Sequence, residues 1–442
     1  MKKVLLVYPP FCTPASPPYS VTQLSSFLKG NSVESEVLDL NLEFHKLKFP
    51  EYGEYFSKGD WKDYSQVVGG YRRLTSQVYS ENNKRIVNSE LPDFFKELLK
   101  KIRDKKPDVV AFSIVYSSQV FYAYALLKEL KEVVTVIGGP AVNDKLREVA
   151  DKVLGNELEL LDCLGGGGEI NWSTVPDFSV YNLEEYFTSF PVIPIRTSTT
   201  CYYKKCTFCT HFSKSKYQEF PLDLVEKTVK SCSAKHFFLI DDMIPVKRLL
   251  ELAKLMKPLR VKWACQLKPT AEFTAEVLKE LYSSGLKIVI WGVESGSDQI
   301  LKLMQKGTIR REIEKLLGDS HLIGIKNVVY IMFGFPGERK EEFLETIDLL
   351  NRNKENIDLV SSSIFGLQKG TEIYNHPEKF GVVKIIEEKR TLLDPKISYE
   401  VSSGLSPEEV RKLVKKYKLT IEGVNKFPKL MNYFREHMLC LS

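Results

Sequence analysis

Three cysteines crowd one short stretch, TTCYYKKCTFCTH at residues 199 to 211: Cys201, Cys206 and Cys209, with Phe208 directly before the last of them. Thiolates at such spacings ligate iron–sulfur clusters or zinc. Four protein ligands would close either kind of site, whereas three would leave one iron of a 4Fe-4S cluster open to an exogenous ligand. His211 could act as a fourth zinc ligand and give a structural Cys3His knuckle. The YYKK between the first two cysteines is polar and loop-like, which weighs against three thiols buried together for packing alone.

The other five cysteines (Cys12, Cys163, Cys232, Cys265 and Cys440) have no close cysteine neighbour, and eight in 442 residues are too sparse for a disulfide scaffold. A reducing cytoplasm is expected. Hydrophobic residues make up 43% of the chain, enough for proper cores and too many for a disordered protein. The opening MKKVLLVYPPF is broken by Pro9 and Pro10 too early for a signal peptide, and no run reaches the roughly 18 apolar residues of a spanning helix. The net charge of +6, from 63 basic and 57 acidic residues, is spread along the chain and gives no footprint for nucleic acid. KKYK at 415 to 418 reads as a solvated helix face.

Elements must position the cysteines. KVLLVY (3 to 8), SEVLD (35 to 39), DVVAFSIVY (108 to 116) and VVTVI (133 to 137) are short β-branched runs suited to buried parallel strands. Helical patterns lie between them, so residues 1–160 read as a doubly wound, flavodoxin- or Rossmann-like parallel sheet. The Tyr-, Lys- and Glu-rich interval from about 42 to 90 fits that sheet poorly and reads as an insertion. Residues 161–190, with GGGG and VPDFS, are the linker.

A second alternation fills 191–375, with strands VIPIRTS, HFFLIDD, KWACQLK, KIVIWGVES, NVVYIMFGF and IDLVSSSIFGL separated by helices. Six βα units are two short of a closed barrel, so the expectation is a partial (β/α)6 barrel of TIM type with its chemistry at the carboxyl ends of the strands. The three cysteines follow the first of these strands, at that mouth. Phe237, Phe238 and Trp291 sit within apolar runs and should pack the core. Residues 376–442 read as a helical extension, with Ser406, Pro407 and Glu409 forming a capping box.

C-x4-C-x2-C with an aromatic before the third cysteine, at the end of the first strand of a six-unit barrel, resembles the radical S-adenosylmethionine (radical SAM) superfamily. The commonest first gap there holds three residues; the four here, YYKK, resemble a variant loop found among members with an N-terminal cobalamin-binding-like domain. GVESGSDQILKLMQKG (292 to 307) resembles the fourth-strand motif, in which Glu294 would bond the ribose hydroxyls of SAM. FGFPGE (333 to 338) resembles the fifth-strand glycine motif, placing Gly334 against the adenine. The resemblance also implies Phe208 beside SAM, Asp241 or Asp242 at its amino group, though the frequent Gly-Gly-Glu is absent, and Lys268 at its carboxylate where relatives often carry arginine. Lysine keeps the charge and loses the bidentate fork.

Before the linker, VYPP, AFSIVYSS, VIGGP and VLGNE resemble the strand ends and glycine turns of the cobalamin-binding-like domain, which implicates Pro9, Ser117, Gly138 and Gly139. The Asp-x-His-x-x-Gly motif that supplies a lower histidine is missing, and His45 follows the second strand, so the implied cobalamin binds without a histidine ligand. The chemistry implied is reductive cleavage of SAM to a 5'-deoxyadenosyl radical, fed by an external flavodoxin or ferredoxin, and then C-methylation of a substrate that could be a peptide, lipid, tetrapyrrole or metabolite. The alternatives are a radical SAM cyclase, epimerase or rearrangement enzyme, and a zinc-stabilised binding module without catalysis. A methylthiotransferase would need three further cluster cysteines, and the N-terminal half offers Cys12 and Cys163.

Overall fold

The computed structural model describes residues 2–59, 61–210 and 216–442. The chain divides into two compact units: Met1–Pro194 with Asp223–Ala234 and Arg390–Asp394, and Ile195–Leu222 with Lys235–Lys389 and Pro395–Ser442. Each contains a parallel sheet accompanied by helices, so the protein is α/β.

In the first unit β1 (Val4–Tyr8), β2 (Ser35–Asp39), β3 (Val109–Ser113), β4 (Val134–Gly138) and β5 (Lys152–Val153) pair in parallel, in the order β2-β1-β3-β4-β5. Every residue of β1 and β3 is buried, as expected of central strands covered on both faces. The order reverses between β1 and β3, and at such a switch point the carboxyl ends of an open α/β sheet form a crevice. The strand β5 overlaps the glycine turn VLGNE only at Val153, and its two residues are too few to carry a period. The interval read as an insertion is helical, Leu40–Lys48, Pro50–Lys58 and Tyr64–Val87. Asp39 starts it: its carboxylate accepts from Leu42 N–H at 2.9 Å and caps the first helix.

In the second unit β6 (Val192–Ile195, whose last residue opens the unit), β7 (His236–Leu239), β8 (Lys262–Leu267), β9 (Leu286–Glu294), β10 (Lys326–Phe333) and β11 (Leu359–Ile364) lie in strictly sequential order. The pairs from β7 to β11 are parallel, and the sheet is open, with β6 and β11 at its two edges. That is the topology of a partial (β/α)6 barrel. Trp263 and Trp291 are fully buried, and their indole N–H groups donate to Ser284 O at 3.2 Å and Asn327 Oδ1 at 2.8 Å, as buried indoles require. Phe237 is fully buried too, whereas Phe238, on the opposite face of β7, is half-buried.

The C-terminal region departs from expectation. After a single turn of 3-10 helix at Pro377–Phe380 comes an antiparallel pair, β12 (Val382–Glu388) and β13 (Lys396–Val401), and α-helix begins only at Pro407. Both strands expose much of their length, so their charged residues are the solvent side of a ribbon, whereas KKYK at 415 to 418 lies where a helix face was expected, in and after the Pro407–Lys416 helix. The capping box holds: Ser406 Oγ accepts from Glu409 N–H, and Glu409 Oε2 accepts from Ser406 N–H at 2.8 Å. Among the described residues no helix is long and apolar enough to cross a membrane.

Candidate functional site

The cysteine loop leaves the carboxyl end of β6 and is closed at its base by short backbone bonds, Thr199 N–H to Gln218 O at 2.9 Å and Phe220 N–H to Thr197 O at 2.9 Å. Its far side is moored by Thr207, which is 1% exposed; Thr207 N–H donates to Met304 O, and Thr207 O accepts from Ile373 N–H, both at 3.1 Å. Cys209 N–H donates to Cys206 O at 3.2 Å, which turns the second and third cysteines together. None of the three is in a disulfide, and all are partly exposed. His211, the alternative zinc ligand, lies outside the described residues. Among the described residues no three His, Cys, Asp or Glu side chains converge on a single metal position.

Two lysines face this loop. Burial pushes the Cys206 thiol up, Glu294 and Cys201 add to this, and Lys306 and Lys268 pull it down, so both lysines and Glu294 lie within electrostatic reach of Cys206. Lys306, 2% exposed, donates to Glu294 Oε1 at 2.9 Å. Burial alone would lower the Lys306 ammonium, but Glu294, Cys206 and Cys201 outweigh it and hold it above its ordinary value. Lys306 Nζ also lies 5.9 Å from the Phe208 ring centroid. Lys268, just past β8 and 6% exposed, is pushed down to about 8, chiefly by burial. Its Nζ stands 3.3 Å from the centroid of the Tyr203 ring. Cationic side chains with their hydration removed, set beside thiols, suit a donor set that becomes anionic on binding metal.

The remaining candidates stand differently. Asp241 is buried, and its carboxylate accepts from Thr197 N–H at 3.0 Å and Ser198 Oγ at 2.7 Å, so it ties β7 to the strand end from which the cysteine loop departs. Burial raises its pKa against the pull of these bonds. Gly334 has φ +78°, and a Cβ there would come within 2.7 Å of Val410 Cγ2; the neighbour that crowds this glycine is the Pro407–Lys416 helix. Cys201, Cys206, Lys268 and Glu294 are thus brought together, with Phe208 alongside, while Asp241 and Gly334 are engaged with the protein itself.

Lys306 and Tyr203 were missed. Both lie in stretches already singled out, but the Glu294–Lys306 pair spans a short helix, Asp298–Leu303, and the Tyr203–Lys268 contact joins two loops. Neither leaves a periodic signal.

In the first unit, Pro9, Ser117, Gly138 and Gly139 all fall at or just beyond the carboxyl ends of β1, β3 and β4. Gln119, fully buried, joins two of these ends: its Oε1 accepts from Val115 N–H at 2.8 Å and its Nε2 donates to Pro9 O at 2.8 Å. Ser117 and Gly139 are exposed. Gly139 has φ +114°, and a Cβ would meet Ile114 O at 2.4 Å, so only glycine fits this turn against β3. His45 is elsewhere, 1% exposed among Phe11, Phe49 and Phe44 at 5.2, 5.3 and 5.8 Å, with Nδ1 bonded to Tyr71 Oη at 2.8 Å. Burial pushes its pKa down to about 3.

Residues 195–350 match the model of the radical SAM superfamily. An uncharacterized methyltransferase of Pyrococcus horikoshii is 23% identical over 402 residues, which span 78% of this chain and 86% of the relative. The radical S-adenosylmethionine methyltransferase TsrM from Kitasatospora setae, solved with tryptophan and the SAM analogue aza-SAM, has a TM-score of 0.63 at 16% identity, covering 96% of this chain and 90% of that one. The cobalamin-dependent S-adenosylmethionine radical enzyme OxsB, with aqua-cobalamin bound, also has a TM-score of 0.63, at 14% identity over 95% of this chain and 67% of that one. These structures share the fold. The chain is an enzyme with a radical SAM domain over residues 195–350, and a domain of this kind implies a 4Fe-4S cluster and SAM.

Proposed function

We propose that this radical SAM enzyme is a cobalamin-dependent C-methyltransferase. The observation that carries its SAM chemistry is the joining of Cys201 and Cys206 to Lys268, Lys306 and Glu294 at one mouth of the second unit's sheet. Cys201, Cys206 and Cys209 would hold the cluster. When bound, the cluster supplies the electron that cleaves the sulfonium of SAM, delivered from a flavodoxin or ferredoxin.

The chain's own residues hold and orient SAM. Lys268 meets the carboxylate of SAM as a point charge, in a site where burial leaves its ammonium poorly hydrated. Glu294, paired with Lys306 through Oε1, meets the ribose hydroxyls. Phe208 packs along the cofactor. Asp241 acts by fixing the end of β6, and Gly334 gives the turn after β10 its left-handed backbone.

In the first unit the exposed strand ends around Ser117 and Gly139 suit a broad planar group, and the burial of His45 supports cobalamin held without a histidine beneath it. When bound, cobalamin supplies methyl transfer to carbon. Pro9, Ser117, Gly138 and Gly139 would line it.

The test is anaerobic reconstitution with iron, sulfide and hydroxocobalamin, gel filtration, and mass spectrometry for 5'-deoxyadenosine. Wild type should retain cobalamin and cleave SAM, and Cys206→Ala should not cleave it. SAM cleavage without retained cobalamin would replace methyl transfer by cyclisation, epimerisation or rearrangement.

A further inference from the structure

The site departs from the superfamily's common pattern twice, in the four-residue gap between Cys201 and Cys206 and in a lysine where an arginine is frequent. The two departures meet in space. Tyr203, from the gap, lays its ring 3.3 Å from Lys268 Nζ. We propose that Tyr203 is a positioning residue that preorganises Lys268 for the carboxylate of SAM, an inference that rests on the reading of Lys268 given above.

Three features support it. An arginine fork is rigid and self-orienting, whereas a lysine ammonium on a four-carbon stem must be held in place by something else. Lys268 is 6% exposed, and among the described residues no carboxylate lies within ion-pair distance of it, so the face of the Tyr203 ring is the partner in direct contact with its ammonium. Tyr203 is itself anchored, its hydroxyl donating to Gln305 O at 2.8 Å.

Gly307 makes the arrangement sterically possible. Its φ is +63°, and a Cβ there would lie 2.3 Å from Tyr203 Oη and 3.1 Å from Lys268 Nζ. The backbone of 305–307 therefore serves both partners, accepting the phenol and leaving room for the ammonium. Lys306 between these residues points to Glu294 instead, so the two lysines are kept to separate tasks.

The experiment is calorimetric titration of SAM into anaerobically reconstituted protein, which reports the number of loaded sites separately from their affinity. Tyr203→Leu should weaken SAM binding roughly three- to thirtyfold at an unchanged number of loaded sites, the range a desolvated cation–ring contact spans. Tyr203→Phe keeps the ring and should stay within about twofold of wild type, since only the tie to Gln305 is lost. In a Lys268→Met background, itself weakened, Tyr203→Leu should add nothing, because coupled residues lose their effect once the partner is gone. Wild-type affinity in Tyr203→Leu, or an equal loss with and without Lys268, would overturn the inference while leaving the enzyme's chemistry intact. Wild-type protein that loads iron yet binds SAM no better than Lys268→Met does would overturn both the role of Lys268 and the inference built on it.

Discussion

Lys306 Nζ stands 2.9 Å from Glu294 Oε1, and both side chains are almost wholly removed from solvent, 3% and 11% exposed. Glu294 holds its place with φ +67°, a left-handed backbone that a non-glycine residue adopts at a cost. A strained residue paired to a buried cation at a strand end is built for position rather than for stability.

Removing one member of such a pair leaves the other charge buried and unpaired. Lys306→Met should therefore destabilise the protein by about 3 kcal/mol or more, read as a lower urea midpoint. Replacing both, in Lys306→Met/Glu294→Leu, should recover part of that loss. A double variant no more stable than the single one would contradict an ion pair at this place.

The fold was legible in the sequence where strands are buried on both faces. VLLVY, VVAFS and LKIVIWGVE are continuous apolar runs because parallel strands covered by helices demand them, and each is a strand of the structure. VVKIIEE and KISYEV were misread because a ribbon with one wet face mixes charge with β-branched residues, and a lysine-rich context reads equally well as helix. In the site, the cysteines were legible because their ligand role is written in local spacing. Lys306 and Tyr203 were not, since each matters through a partner brought near by the fold.

His45 makes the first unit acid-sensitive. Its pKa is lowered by burial to about 3, so the folded state resists a proton that the unfolded chain takes up near 6.5. The stability it secures is complete above about pH 6.5 and is lost progressively as pH falls from there toward 3. Between pH 7.5 and 5.5 wild type should lose about 1.4 kcal/mol more than His45→Gln does, measured by urea denaturation at both values. Equal losses would show that this imidazole titrates freely.

Gly334→Ala meets two penalties, a left-handed φ and a methyl group within 2.7 Å of Val410 Cγ2. The expected cost is about 2 to 3 kcal/mol, of which about 1 kcal/mol is backbone strain. Adding Val410→Ala should relieve the clash and leave the strain, so the double variant should be the more stable of the two, as thermal midpoints would show. If Val410→Ala only adds to the damage, the packing of the Pro407–Lys416 helix on this turn is not what confines the residue to glycine.

Cys201, Cys206 and Cys209 are expected to hold one 4Fe-4S cluster together. Iron and acid-labile sulfide, assayed on anaerobically reconstituted protein beside its broad absorbance near roughly 400 nm, test it most directly. Iron and sulfide should be present in equal amounts at the level of a single cube, with both the colour and the formation of 5'-deoxyadenosine lost in Cys206→Ala. Colourless wild-type protein without iron, or a Cys206→Ala variant that still loads the cluster and cleaves SAM, would contradict it.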